Sequence, residues 1–258
     1  MIIKRDFIYS PKGTSRPLHI YLPENYFETD SRYPVMYFFD GHNLYFDEDA
    51  TYGKSWGLKE FLDSWGKEMI VVGIECGHDG QERLSEYLPY TANKGSHFAA
   101  FEPKGDETMQ WILSEVKPMI DLEYRTIPFR ECTGIAGSSM GGLMALYAAV
   151  HYNRWFSKAG CVSSAIGFCM RPLMIDLRKT PISPDTRIYL SWGTKESKKD
   201  HQDRADRSSE TYHNTKYVAD FLKKRKATVK THCQVGGGHC EADWEKLVPA
   251  FMHFLWLE

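Results

Sequence analysis

The chain has 258 residues, of which 42% are hydrophobic and 26% charged, and its formal net charge is −2. These values are typical of a soluble globular protein, and the length predicts one domain over residues 1–258 with a sizeable core. The balanced charge argues against nucleic acid or an anionic membrane surface as a partner. No apolar run approaches the roughly 18–20 residues that a membrane span needs.

The cysteines and the first residues bear on the compartment. Six cysteines are scattered through a chain too long to need disulfide bonds, and several fall in apolar, strand-like runs. We interpret them as reduced, mostly buried thiols. The opening Met-Ile-Ile-Lys-Arg-Asp-Phe lacks the apolar region of a secretory signal. A cytoplasmic protein is therefore predicted. Its oligomeric state, a homo-oligomer included, is left open.

Short apolar strand candidates alternate with helical patterns along the chain. The predicted strands are 18–21, 35–39, 70–74, 133–136, 158–162, 187–192 and 228–234. The predicted helices cover about 56–65, 107–122, 142–152 and 210–225, and helical sequence resumes near residue 241. Continuous apolar strands separated by helices predict a mostly parallel sheet covered on both faces.

The terminal helical sequence contains a proline. Its apolar residues fall on one helical face, but Pro249 would break a single helix. Proline is tolerated in the first turn of a helix. We therefore expect Pro249 to be the first residue of a second, short helix.

A Gly-Ser-Ser-Met-Gly sequence occupies residues 137–141, between a strand candidate and a helical stretch. A strand, a sharp turn and a helix around G-x-S-x-G are typical of a nucleophile elbow. Small residues are needed on both sides because the chain doubles back on itself, and Gly137 and Gly141 supply them. The motif predicts Ser139 as the exposed nucleophile. On the motif alone, a glycine-rich turn without chemistry stays open.

A serine hydroxyl needs a base, which in elbow-containing hydrolases comes after the acid in the chain. His239 follows three glycines after the last predicted strand and precedes the terminal helical sequence. The other downstream histidines lie in polar, strand or helical sequence; they are His201, His213, His232 and His253. We therefore predict His239 as the general base.

The orienting acid should follow the penultimate strand. Glu196 lies just after the strand predicted at 187–192, and Asp200 and Asp203 follow within a turn or so. A carboxylate there would hold the imidazole in the right tautomer and stabilise its charged form. Glu196 is the predicted acid, with Asp200 and Asp203 as alternatives. A merely exposed glutamate is the alternative without function.

An oxyanion hole needs two backbone N–H groups. One is expected from Met140, which follows the predicted nucleophile. The other is expected from the loop after the strand at 35–39, where Asp40-Gly41-His42-Asn43 stands. The N–H of His42 or of Gly41 would face the developing negative charge. No acid–base role is assigned to the His42 side chain.

Metal and cofactor sites are not expected. His232-Cys233 and His239-Cys240 look like paired ligands, but adjacent residues of a strand point to opposite faces. The spacings of zinc motifs and of a phosphate-binding loop are absent from the sequence.

The motifs together resemble a family: the esterases related to enterochelin esterase and to feruloyl and acetylxylan esterase modules, with the antigen 85 mycolyltransferases as distant cousins. The matching segments come in the family's order; they are residues 16–26, 40–47, 137–142, 193–196, and 236–239 with Trp244. The resemblance implies an α/β-hydrolase fold, with a mostly parallel sheet of about eight strands flanked by helices and no large lid. By position it also implies Ser139 as nucleophile, Glu196 as acid and His239 as base. Some relatives have Asp in place of Glu196.

The expected activity is that of a serine carboxylesterase acting through an acyl-enzyme. The substrate would be a small soluble carboxylic ester, such as an acylated sugar or a feruloyl or acetyl ester. An acyltransferase, a thioesterase or a small-peptide hydrolase would use the same triad, and fold does not choose among them. A non-catalytic binding protein of the same fold is the alternative of another class.

Overall fold

The computed structural model describes residues 1–196 and 209–258. The strands are β1 (Ile2–Arg5), β2 (Ile8–Tyr9), β3 (Thr14–Ser15), β4 (Leu18–Tyr21), β5 (Val35–Phe39), β6 (Ile70–Ile74), β7 (Thr133–Ser138), β8 (Lys158–Val162), β9 (Arg187–Gly193) and β10 (Thr228–Gln234). The helices are α1 (Leu58–Ser64), α2 (Glu82–Glu86), α3 (Gly105–Trp111), α4 (Lys117–Glu123), α5 (Met140–His151), α6 (Met170–Lys179), α7 (Glu210–Lys224), α8 (Glu241–Trp244) and α9 (Val248–Trp256).

In the described part of the chain, eight strands form one sheet in the order β1-β4-β6-β5-β7-β8-β9-β10. The β1–β4 and β4–β6 pairs are antiparallel, and all later pairs are parallel. Parallel strands place their carboxyl ends at one edge, where the functional loops of open α/β sheets gather. A mostly parallel eight-stranded sheet flanked by helices is the α/β-hydrolase fold, as predicted.

The strand predictions succeeded for all seven predicted strands, most of which are buried on both faces. Five have the predicted bounds, and β7 and β9 extend beyond them to Ser138 and Gly193. In β5, Met36 and Phe38 pack into a core with α1 and α9, whereas Tyr37 packs into a larger core with α5, α6 and α7. Strand β1 was missed because it is a half-exposed edge strand in which half of the residues are charged.

The helix predictions held apart from their ends and two omissions. Pro249 lies in the first turn of α9, which confirms the predicted break, although that helix begins one residue earlier. The predicted helix 107–122 became α3 and α4 joined by a π-helical turn at Ile112–Val116. Pro118, at the start of α4, lacks the N–H that would continue a regular ladder. Helices α2 and α6 were not predicted.

Helix length also bears on membrane insertion. Among the residues that the structure describes, no helix combines the length and the apolar character needed to cross a membrane.

The smaller core has Phe251 of α9 at its centre. This side chain is fully buried and packs against the rings of Phe38, Trp56 and Tyr189, with centroids 6.3, 6.3 and 5.9 Å away. Phe251→Ala should lower the free energy of unfolding by about 3–5 kcal/mol, because it leaves a cavity. Phe129→Ala removes the same atoms from a side chain of a residue that is 67% exposed, and it should change stability by less than about 0.5 kcal/mol. Urea unfolding of both variants tests the difference, and equal losses would contradict it.

Candidate active site

Ser139 lies at a strained turn between β7 and α5. Its backbone has φ 56° and ψ −119°, which an L-residue rarely adopts. Two hydrogen bonds hold it: its N–H donates to the carbonyl oxygen of Val162 at 3.0 Å, and its own carbonyl accepts from the N–H of Ala165 at 3.0 Å. The end of β8 therefore fixes the conformation of Ser139.

The two glycines that flank this turn have no room for a side chain. A Cβ atom at Gly137 would lie 2.7 Å from the backbone of Gly141. A Cβ atom at Gly141 would lie 3.0 Å from the Cβ of Phe39. The close approach that the motif predicted between residues 137 and 141 is present.

His239 lies on the loop between β10 and α8, beside Glu196. Its Nδ1 is 3.4 Å from Oε2 of Glu196, and its ring meets the indole of Trp244 edge to face at 5.0 Å. Ser139 and His239 line the same two cavities. The fold thus brings together three residues that are far apart in the sequence. In the described part of the chain, the His239 ring is hydrogen-bonded to Glu196 and not to Ser139.

Glu196 belongs to a wider hydrogen-bond network. Its Oε1 accepts from the hydroxyl of Ser163 at 2.6 Å and from the N–H of Gly193. The indole N–H of Trp244 donates to the Ser163 oxygen at 2.9 Å. These bonds leave Oε2 directed toward His239. The alternative acids, Asp200 and Asp203, lie outside the described residues, as does His201.

Sequence reasoning missed the part that Ser163 plays here. Ser163 follows the carboxyl end of β8, with a positive φ of 47°, and its residue is only 3% exposed. Trp244 was noted only as part of the resemblance. Its position was the available signal. Ser163 directly follows β8, and Glu196 follows the neighbouring parallel strand β9, so both residues lie at the same edge of the sheet.

The loop after β5 is held by an ion pair. Asp40 has a left-handed backbone (φ 59°), and Gly41–Asn43 form a short 3-10 turn after it. Arg83 of α2 donates to both Asp40 oxygens, at 2.6 and 2.8 Å. Burial alone would raise the pKa of Asp40, but the charge and hydrogen bonds of Arg83 outweigh it and hold that pKa below its usual value. The turn that carries Gly41 and His42 is therefore anchored by an ionised carboxylate.

Met140 and the Gly41–His42 turn leave the sheet side by side, since β5 and β7 are paired and parallel. Met140 is the buried first residue of α5. The first N–H groups of a helix have no partner within it. The predicted donors of the oxyanion hole thus lie on adjacent elements next to Ser139.

The two cavities that meet at Ser139 differ in character. One, of about 360 Å³, has a polar lining that includes His42, Arg83 and Glu241. Burial raises the pKa of Glu241, whose Oε1 is 3.5 Å from the amide nitrogen of Asn43. The other, of about 780 Å³, is bounded by the aromatic pair of Phe98 and Phe168, with centroids 4.2 Å apart, and by other side chains of the segment after β8.

The polar cavity also contains a cluster that sequence analysis did not anticipate. One potential ligand atom from each of His42, Cys76 and His78 lies within 4.8 Å of those of the other two. The His-Cys pairs weighed from the sequence, at 232–233 and 239–240, are not part of it. Residues 42 and 76 follow neighbouring strands, so no sequence spacing could have indicated the cluster.

Comparison with known proteins places the chain among esterases. The Esterase family, described as "Putative esterase", matches residues 11–254. The chain is 24% identical over 224 residues to the uncharacterized protein YbbA of Bacillus subtilis. The aligned region covers 86% of this chain and 84% of YbbA. It is 30% identical over 152 residues to Esterase Rv1288 of Mycobacterium tuberculosis. That region covers 58% of this chain and 30% of Rv1288.

A solved structure agrees on the fold. The IroE-like serine hydrolase from Shewanella oneidensis aligns with a TM-score of 0.75 and 18% identity, over 98% of this chain and 79% of that one. The family match covers nearly the whole chain and includes the elbow, the loop after β5 and the His239 loop. The chain belongs to the Esterase family and is an esterase of the α/β-hydrolase fold.

Proposed function

We propose that this esterase is a serine carboxylesterase that hydrolyses a small soluble ester through an acyl-enzyme. Ser139 is the nucleophile, His239 the general base and acid, and Glu196 the orienting acid. One observation supports this above the others: Ser139, in its strained turn, shares its cavities with His239, whose Nδ1 lies 3.4 Å from Glu196.

In the first step, Oγ of Ser139 attacks the acyl carbon and its proton passes to Nε2 of His239. Glu196, at Nδ1, selects the tautomer in which Nε2 is free to accept that proton, and stabilises the imidazolium that forms. The oxyanion of the tetrahedral intermediate accepts hydrogen bonds from the N–H of Met140 and from that of Gly41 or His42.

In the second step, the protonated His239 donates its proton to the departing alcohol oxygen as the bond to the acyl carbon breaks. Water then attacks the acyl-enzyme, and Nε2 of His239 accepts the proton of the water. Collapse of the second intermediate returns that proton to Oγ of Ser139 and releases the carboxylic acid. The cycle needs no metal ion.

The two cavities suggest how an ester is oriented. Phe98, Ile166 and Phe168 give one cavity an apolar and aromatic wall suited to an acyl group. The polar cavity, with His42, Arg83 and Glu241, suits a hydroxyl-rich alcohol. This arrangement supports an acylated sugar, feruloyl or acetyl, as the substrate class. An acyltransferase would use the same groups with an alcohol in place of water, and product analysis in the presence of a sugar alcohol separates the two.

Removing the nucleophile tests the central proposal. Ser139→Ala should lower kcat for p-nitrophenyl acetate by roughly three to six orders of magnitude, because no acyl-enzyme can form. The matched control is Ser138→Ala, the neighbouring serine of the same motif, which should stay near the wild-type rate. Mass spectrometry should find one fluorophosphonate adduct, on Ser139. A wild-type rate in Ser139→Ala would refute the proposal.

The assignment of the acid has its own test. Glu196→Gln should lower kcat by roughly two to four orders of magnitude, since an amide cannot balance the imidazolium charge. Asp200→Asn and Asp203→Asn remove the alternative carboxylates and should leave kcat almost unchanged. The acid assignment is wrong if either of these abolishes activity while Glu196→Gln does not.

The support of Glu196 by Ser163 can be measured separately. Ser163→Ala removes the hydrogen bond that the Ser163 hydroxyl donates to the Glu196 carboxylate. A hydrogen bond to a charged group contributes about 1.5–3 kcal/mol of free energy. If the bond aligns Glu196 for the reaction, kcat should fall roughly 10- to 100-fold while KM changes little. Ser114→Ala is the control, because Ser114 is an exposed serine of the π-helical turn and lines neither cavity. Equal effects of the two substitutions on kcat would contradict a positioning role.

A further inference from the structure

The cluster of His42, Cys76 and His78 lies in the polar cavity beside the proposed triad. His42 comes from the turn after β5, and the other two residues come from the segment after β6. His42 and Cys76 are buried, whereas His78 is exposed. All three line the cavity that Ser139 and His239 also line. The cluster therefore opens toward the reaction site rather than toward the protein core.

The His42 ring has an unused nitrogen. The residue is only 7% exposed, and its Nε2 is hydrogen-bonded to the hydroxyl of Thr51 at 2.9 Å. Its buried Nδ1 has no hydrogen-bond partner within the described residues. Buried polar atoms are rarely left without a partner, so this nitrogen is a free donor or ligand atom in the cavity wall.

His78 is held in a comparable way. Its Nε2 is hydrogen-bonded to Oε2 of Glu75 at 2.9 Å, which leaves Nδ1 as the remaining ring nitrogen. Histidines that bind metals commonly donate their other ring N–H to a carboxylate, which fixes the orientation of the ring. The hydrogen bond between Glu75 and His78 has this arrangement, so the His78 ring is already oriented by a carboxylate.

Two imidazoles and one thiolate are a ligand set suited to zinc, and binding would release the proton of the Cys76 thiol to solvent. Ligand atoms at about 2.0–2.3 Å from a tetrahedral zinc ion lie roughly 3.3–3.7 Å apart. The ligand atoms, which lie within 4.8 Å of one another, would therefore have to approach one another by up to about an ångström when the ion binds. Three protein ligands leave the fourth position open, and here it would face the cavity.

We propose that His42, Cys76 and His78 form a binding site for Zn²⁺, with water as the fourth ligand, and that the bound ion inhibits ester hydrolysis. Inhibition rests on the proposed function. The ion would occupy the cavity assigned to the alcohol, and it would pull on the His42 turn, whose N–H is a proposed oxyanion donor. The ion is a regulator in this proposal and takes no part in hydrolysis.

Metal binding is tested first, without any ester. Co²⁺, a spectroscopic substitute for Zn²⁺, is titrated anaerobically into the metal-free full-length protein. One equivalent should bind with a thiolate-to-cobalt charge-transfer band and intense tetrahedral d–d bands, and Zn²⁺ should remove both. This readout is independent of esterase activity, so cobalt binding in an inactive protein would support the site and refute the proposed function. Absence of the charge-transfer band in the wild type would refute the site.

Two variants remove ligands, and a third is the control. Cys76→Ser deletes the thiol and should abolish the charge-transfer band. His78→Ala changes an exposed side chain, so folding should be preserved, and metal affinity should fall by at least about tenfold. His253→Ala removes an exposed histidine of α9 and should bind like the wild type. Unchanged affinity in both ligand variants would overturn the proposal.

Inhibition is measured with p-nitrophenyl acetate at increasing free Zn²⁺, each variant relative to its own metal-free rate. Wild type and His253→Ala should be inhibited over the range in which they bind metal, and EDTA should restore the rate. Cys76→Ser and His78→Ala should need at least about tenfold more Zn²⁺. Inhibition that both ligand variants retain would mean that zinc acts elsewhere. A saturated wild type that keeps its full rate, or gains rate, would refute the inhibitory role.

Discussion

The backbone of Ser139 is tied to the end of β8, and much of the site depends on this connection. Its positive φ is unfavourable for a serine, and hydrogen bonds with Val162 and Ala165 hold it in place. Between those two residues lies Ser163, whose hydroxyl donates to Glu196. One short segment therefore supports both the proposed nucleophile and the proposed acid. The segment holds Ser139 through main-chain hydrogen bonds and Glu196 through the Ser163 side chain.

A second set of constraints holds the opposite wall. The charged pair of Asp40 and Arg83 is bidentate and mostly removed from water, so separating the charges would be costly. It joins the turn after β5 to α2, an element of the long segment between β6 and β7. That turn supplies the N–H groups proposed for the oxyanion hole, and its His42 side chain belongs to the proposed zinc site. The same turn thus links the proposed catalysis to its proposed inhibition.

The environment of Ser139 is asymmetric. One side is a polar cavity containing histidines, a buried Glu241 and an anchored ion pair, and the other is a larger cavity that combines the aromatic pair of Phe98 and Phe168 with polar side chains. An ester is asymmetric in the same sense when a hydrophobic acyl group is joined to a hydroxylated alcohol. The proposed orientation of the substrate places the acyl group against Phe98 and Phe168 and the alcohol in the polar cavity.

The sequence by itself determined the features that depend on near neighbours along the chain. The elbow was recognisable because its residue pattern, with Gly137 approaching Gly141, lies within five consecutive positions. The buried strands were found because burial of both faces leaves a continuous apolar run. The break at Pro249 followed from a single missing N–H group.

Only the tertiary structure decided which side chains meet across the strand ends. Glu196 was one of three carboxylates open to the sequence, and its contact with His239 depends on the parallel pairing of β9 and β10. The link from Trp244 through Ser163, the pairing of Asp40 with Arg83, and the His42 cluster likewise join residues from different crossovers. Such contacts depend on strand order and on rotamers selected by packing, and these are properties of the assembled sheet that no local pattern of residues encodes.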